Sequence, residues 1–125
     1  MNLHVAEALT ADETYRGAML DGINHVFGRN VHGCSYVTGL GHNPPMFPHD
    51  RRSGGDNVRA PCPGYLVGGP WPKPENWHDE QDDYRTNEIA INWNGALIYA
   101  LAAFVEPESF AASVKTATNK SKESN

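Results

Sequence analysis

The sequence is poor in positive charge. Ten lysine and arginine residues stand against fifteen aspartate and glutamate residues, which gives a net charge of −5. Binding to nucleic-acid phosphates requires a basic surface, so this balance argues against a nucleic-acid partner. The sequence also has no apolar run close to the roughly 20 residues of a membrane-spanning helix. Its first residues, "MNLHVAEALTADETYR", have neither the basic start nor the apolar run of a secretory signal.

Cysteine is scarce, and metal-binding motifs are missing. Cys34 and Cys62 form no CxxC pair, so they are either one disulfide or two free thiols, and we favour free, partly buried thiols. No HExxH or paired Cys/His spacing supports a zinc site. Loop carboxylates suit calcium in general, but "DEQDD" lacks the glycine and the twelve-residue spacing of an EF-hand. A metal protein remains an alternative because four histidines lie in loops near acids: His32, His42, His49 and His78.

Glycine and proline, by contrast, are abundant, with twelve and nine residues. They concentrate in residues 29–76, where proline fixes φ and removes a hydrogen-bond donor while glycine permits positive φ. A disordered linker would not carry this segment's many large apolar side chains. We therefore predict a long ordered loop region, a feature that is commonly functional.

Two helices flank this loop region. Apolar residues recur at helical spacing over residues 10–28, where Thr10 and Glu13 fit a capping box. A second apolar stripe predicts a helix over residues 87–104 with Thr86 as its N-cap. The pattern indicates an all-α fold that forms part of a larger domain. Residues 113–125 are small and polar and predict a disordered tail.

Five carboxylates precede the second helix: Asp79, Glu80, Asp82, Asp83 and Glu88. A carboxylic acid near like charges tends to have a raised pKa, as a general acid working near neutral pH requires. A position in the first helical turn would instead favour the ionised form of Glu88. The nearby aromatic rings of Trp77 and Tyr84 suit a sugar, whose C–H face packs on an aromatic face. A solvated cap region is the alternative interpretation of these acids.

Two gapped motifs narrow this choice. "SYVTGLGHNPPMFPHDR", residues 35–51, resembles the histidine signature of glycoside hydrolase family 9, the family of many endoglucanases. "WHDEQDDYRTNEIAINWNG", residues 77–95, is similar to the same family's second signature, with Gly95 where the family usually has alanine, serine or threonine. The resemblance covers roughly residues 15–104.

The resemblance implies a fold and an activity. It implies that residues 1–112 are the C-terminal portion of an (α/α)6 barrel catalytic domain that hydrolyses β-1,4-glucan, such as cellulose, with inversion. By the same resemblance, the family's catalytic residues fall on three positions: Glu88 as general acid, Asp79 and His49. The substrate-binding residues are then expected to be Arg51, Tyr84 and Trp77. Family members usually act outside the cell, some bind calcium, and no calcium site can be placed in this sequence.

One catalytic group is not found. Inversion needs a second carboxylate to activate water, and in this family that base lies in an Asp-rich motif near the start of the domain. Residues 1–34 contain no such motif. We therefore expect the 125-residue chain by itself to be inactive and to need the rest of the domain. The alternative is a non-catalytic glucan-binding fragment that holds sugar through Trp71, Trp77 and Tyr84.

Overall fold

The computed structural model describes residues 2–55 and 59–105. Within these ranges the chain is helical and forms no β-strand, only three isolated β-bridges. The prediction of a helical protein is therefore confirmed for these residues. The helices are α1 (Asn2–Thr10), α2 (Thr14–Val26), α3 (Arg51–Gly55) and α4 (Ile91–Ala102). Two of the four helices found in these residues, α1 and α3, were not predicted. None of them combines the length and the hydrophobicity needed to span a bilayer. The predicted tail, residues 113–125, lies outside the described residues.

The start of the chain corrects the first helix prediction. Thr10 does not cap a helix that runs to residue 28, because it is the last residue of α1 and its hydroxyl donates to a carbonyl one turn earlier, at 2.8 Å. Glu13 makes no capping bond. Asp12 has that role instead, because its Oδ1 accepts hydrogen bonds from the Thr14 backbone N–H (2.9 Å) and hydroxyl (2.7 Å). These two bonds lower the pKa of Asp12.

Helix α1 was missed because it buries no residue of its own. Its apolar side chains remain exposed, Leu3 by 39%, Val5 by 51% and Leu9 by 81%. Sequence patterns identify helices mainly through a buried apolar stripe, and α1 has no such stripe.

The predicted N-terminus of the last helix is also wrong. This helix begins at Ile91, not at residue 87, and Ala90 before it is extended, with φ −124° and ψ 140°. Thr86 is not an N-cap, because its hydroxyl donates to Asp83 Oδ2 at 2.6 Å. Thr86 and Asn87 lie in a turn and a bend, and Glu88 and Ile89 then pair with the loop region through β-bridges.

The loop region between α2 and α4 carries the core. One cluster of buried side chains consists of Cys34, Tyr36, Val67 and Trp77. The partly buried side chains of Leu66 and Ile89 pack against it. Main-chain contacts hold the cluster: Val67 N–H donates to the Tyr36 carbonyl (3.0 Å), and Val67 also bridges Ile89. Neither cysteine is in a disulfide, which agrees with the favoured prediction of free thiols. They are not both partly buried, since Cys34 is buried and Cys62 is exposed. Burial raises the pKa of the Cys34 thiol.

Two glycines in this region allow the cost of backbone strain to be compared with the cost of steric overlap. Gly39 and Gly33 have nearly the same φ, 65° and 60°, in the left-handed region. A Cβ at Gly39 would lie 2.6 Å from Pro63 Cβ and 3.1 Å from its Cα, whereas a Cβ at Gly33 would have no neighbour within 4 Å.

We predict that Gly33→Ala lowers the free energy of unfolding by about 1 kcal/mol, the cost of placing alanine at this φ. Gly39→Ala should cost about 1–3 kcal/mol more, because the proline ring and backbone cannot move aside easily. Urea denaturation of both variants measures the difference. Equal losses would contradict the Gly39–Pro63 packing.

Candidate active site

Backbone pairing brings His49 and Glu88 together. The two residues form a parallel β-bridge, and His49 N–H donates to the Asn87 carbonyl at 2.8 Å. On its other side, the Glu88 carbonyl accepts a hydrogen bond from Gly68 N–H at 3.1 Å. The Glu88 backbone is thus held from two sides while its side chain stays exposed. Because Glu88 lies before α4, the helix-dipole argument made from the sequence does not apply to it.

Asp79 holds the loop that leads to His49. In "PPMFP" the only residues with a backbone N–H are Met46 and Phe47, and both donate to the Asp79 carboxylate, at 2.6 and 3.0 Å. The Asn87 side-chain amide also donates to Asp79 Oδ1, at 3.1 Å. Hydrogen bonds to a charged group are stronger than neutral ones. One carboxylate therefore connects two segments more than 30 residues apart in the sequence.

The His49 ring is oriented by a main-chain acceptor. Its Nδ1 lies 2.6 Å from the Gln81 carbonyl oxygen. A carbonyl only accepts hydrogen bonds, so Nδ1 must carry the proton and Nε2 is left to act on a ligand. The Tyr84 ring lies beside it, 6.3 Å between centroids and inclined by 60°. Tyr84 is 56% exposed.

A cavity of about 420 Å³ opens next to His49 and is lined by His49, Asp50, Arg51, Gln81 and Asp82. Arg51, the first residue of α3, is exposed. Although burial opposes it, hydrogen bonds from Arg52 and Ser53 lower the pKa of Asp50. The cavity wall thus combines a cation, carboxylates and an imidazole, which are groups that bind hydroxyl-rich ligands.

Trp77 does not belong to this surface. We expected it to bind substrate, but it is only 9% exposed and packs edge-to-face on Tyr36, with 5.2 Å between centroids. The ring offers no free face to a sugar, so its predicted role is not supported. Trp71 is 67% exposed.

Asp83 is bonded to the protein more fully than the two acids that precede it. Glu80 and Asp82 are exposed. Asp83 is instead half-buried and accepts hydrogen bonds from the Thr86 hydroxyl and the Arg85 N–H (3.2 Å). The Thr86 bond is the main reason that the pKa of Asp83 is lowered.

Asn87 is the site residue that sequence reasoning missed. It is fully buried, and its amide nitrogen donates to the Phe47 carbonyl at 2.6 Å as well as to Asp79. Nothing in the pattern around position 87 predicts burial of a polar residue. The only available signal was its position next to Glu88.

Three of the four histidines considered for a metal site have other partners, His49 among them. His32 Nε2 lies 3.0 Å from the Pro74 carbonyl, and His42 lies 2.9 Å from the Asn43 amide. Over residues 2–55 and 59–105, no group of three or more His, Cys, Asp and Glu side chains is placed to hold a metal ion.

We predict that Asp79→Asn loosens the His49 loop. An amide has a single acceptor oxygen and presents an NH₂ group to one of the two backbone donors, so the Met46 or Phe47 bond is lost. Hydrogen exchange at these two amides should accelerate at least about tenfold, equivalent to roughly 1.4 kcal/mol of local opening. Asp82→Asn, an exposed matched control, should change neither rate. Unchanged protection in Asp79→Asn would contradict the role of the carboxylate.

We predict that Thr86→Val lowers the free energy of unfolding in a pH-dependent way. The substitution removes the hydroxyl that lowers the pKa of Asp83 below its ordinary 3.8. Because the pKa of Asp83 is lower in the folded state than in the unfolded state, its ionisation stabilises the fold at pH values above the unfolded-state pKa. This contribution to the free energy of unfolding is lost as the pH falls through the folded-state pKa. The wild type should therefore be more stable by about 1 kcal/mol or less above about pH 5, and the difference should shrink below pH 4. Urea denaturation across this range measures it; a pH-independent difference would contradict the assignment.

Comparisons with known proteins identify the family. Residues 1–101 match the profile of Glycosyl hydrolase family 9. Endoglucanase D of Acetivibrio thermocellus is 65% identical over 105 residues, which are 84% of this chain and 17% of that protein. The solved structure of a Bacteroides ovatus family 9 protein is 44% identical, with a TM-score of 0.76, over 81% of this chain and 19% of that one.

A third likeness is to a solved endoglucanase of Clostridium thermocellum in complex with cellobiose and cellotriose. It is 32% identical, with a TM-score of 0.60, over 72% of this chain and 17% of that one. The chain spans about a fifth or less of the length of each of these three proteins. The resemblance noted in its two motifs is confirmed, and the chain belongs to glycosyl hydrolase family 9.

Proposed function

We propose that this chain supplies the general-acid side of an inverting endo-β-1,4-glucanase active site, with Glu88 as the acid. The observation that carries the proposal is the paired backbone of His49 and Glu88, whose side chains are both exposed, with His49 lining the 420 Å³ cavity. Membership of the family and the likeness to a cellotriose complex support a β-glucan ligand.

Each proposed role follows from what the side chain can still bind. The protonated carboxyl of Glu88 donates its proton to the glycosidic oxygen as the bond breaks. His49 Nε2 and the Arg51 guanidinium hydrogen-bond sugar hydroxyls, since His49 Nδ1 is already held by the Gln81 carbonyl. The exposed Tyr84 ring packs against the sugar. Asp79 orients the loop and does not react itself.

The base comes from elsewhere in a complete catalytic domain. Inversion requires two carboxyl groups roughly 6.5–9.5 Å apart with a water between them. Asp79 and Asp83 are both engaged in hydrogen bonds to the protein, so neither is the base we propose. The 125-residue chain alone should therefore have little or no activity.

The exposed apolar side chains of the helices are consistent with packing inside a larger domain. We propose that the helices are the C-terminal portion of an (α/α)6 barrel. Leu9, Ile91 and Ile98 are 81%, 93% and 67% exposed. Exposed apolar side chains of this size are candidates for cover by neighbouring helices. We also propose, from its family, that the protein acts outside the cell.

We predict that the chain becomes active when the rest of a family 9 enzyme is supplied. In the experiment, the residues of this chain that align with Endoglucanase D replace the matching segment of that enzyme. We call the resulting protein the grafted enzyme. It should release reducing sugar from soluble cellulose, whereas the isolated chain should not. Glu88→Gln in the grafted enzyme should lower kcat by about 10²–10⁴-fold. Glu80→Gln, which makes the same change at an exposed acid, should have little effect.

Other outcomes separate the alternatives. A folded grafted enzyme without activity, or one whose activity survives Glu88→Gln, would contradict the proposal. Binding of the isolated chain to insoluble cellulose without any catalysis in the graft would favour the glucan-binding fragment.

A further inference from the structure

The Asn87 carboxamide lies where the loop that leads to His49 meets the segment of Asp79 and Glu80. It is 0% exposed, and its Nδ2 is directed at three oxygens: the Phe47 carbonyl (2.6 Å), Asp79 Oδ1 (3.1 Å) and the Glu80 carbonyl (3.4 Å). Its Oδ1 is buried without a hydrogen-bond partner. The side chain is therefore held entirely through its donor end.

The main chain of Asn87 contacts the same segments. Its carbonyl accepts the His49 N–H at 2.8 Å, and its own N–H donates to the Asp83 carbonyl at 2.9 Å. The loop before His49 is thus bonded to this one residue twice, through the Phe47 carbonyl and through the His49 N–H. The separation of the His49 and Glu88 backbones depends on these bonds.

The burial of Asn87 also sets the direction of Glu88. Asn87 lies in the bend that leads directly into the bridging residue Glu88. Its side chain is buried, whereas that of Glu88 is exposed. Anchoring the first side chain inside the protein keeps the second one pointing out.

We infer that Asn87 is a positioning residue, which aligns the carboxyl of Glu88 with the sugar-binding loop of His49. The inference rests on the proposed function, because it assigns Asn87 an effect that acts through Glu88. Only a donor fits the position: the oxygens around Nδ2 would repel an aspartate, and alanine leaves the Phe47 carbonyl and Asp79 without this bond. A displacement of about 1 Å at a reacting group can cost roughly 100-fold in rate.

The test compares two substrates in the grafted enzyme. Cellotetraose needs a proton on its leaving oxygen, while 2,4-dinitrophenyl β-cellobioside has a leaving group that departs without one. Asn87→Ala should lower kcat on cellotetraose about 100-fold but on the aryl glycoside less than about 10-fold, and Asn87→Asp should have the same signature. Glu88→Gln provides the reference for a lost acid. In the double variant Asn87→Ala/Glu88→Gln, the ratio of the two rates should stay at the Glu88→Gln value.

The ratio of the two rates separates positioning from folding. Loss of folded protein lowers both rates by the same factor, so a variant that is partly unfolded cannot imitate the signature. Asn92→Ala, at an exposed position of α4, is the matched control and should leave the ratio unchanged. Equal losses on both substrates, or a further change of the ratio in the double variant, would overturn the role of Asn87. An inactive parent graft would instead contradict the proposed function itself.

Discussion

The site depends on one carboxylate in a loop that is short of hydrogen-bond donors. Between Pro45 and Pro48, the chain has two backbone N–H groups, and Asp79 accepts both. Prolines remove donors and restrict φ, so this loop cannot form a helix or a strand ladder to satisfy itself. Asp79 supplies the acceptor that the loop itself cannot offer to these two N–H groups. In doing so it fixes the segment that leads to His49.

The dense negative charge before α4 therefore serves several purposes. Asp79 accepts the N–H groups of the His49 loop, and Asp83 accepts from Thr86 and holds the turn that leads to Asn87. Glu80 and Asp82 remain solvated. Glu88 alone presents its carboxyl outward from a backbone held on both sides. Carboxylates of the same type have different roles here because their hydrogen-bond partners differ.

The helices contribute less to the site than the loops do. Within the described ranges, α2 and α4 bury one residue each, Met19 and Leu97, while the main buried cluster is built from loop side chains. Backbone pairing between loop segments, and not helix packing, places the candidate residues. This arrangement explains how a loop region rich in glycine and proline can hold a rigid constellation: the contacts are many and distant in sequence.

The sequence by itself determined the family, through two gapped motifs, and the existence of α2 and α4, whose apolar residues recur at helical spacing. It could not locate α1, which has no buried residue. It also could not locate the start of α4, because Glu88 and Ile89 leave the helical pattern only by pairing with segments 20 to 40 residues away. It also could not show that Trp77 is core while Tyr84 is surface, since both are aromatic residues in the same motif. Only the tertiary structure decided which acids are engaged and that Asn87 joins them. Hydrogen bonds between distant segments leave no periodicity in a sequence, and the geometry of this site consists largely of such bonds.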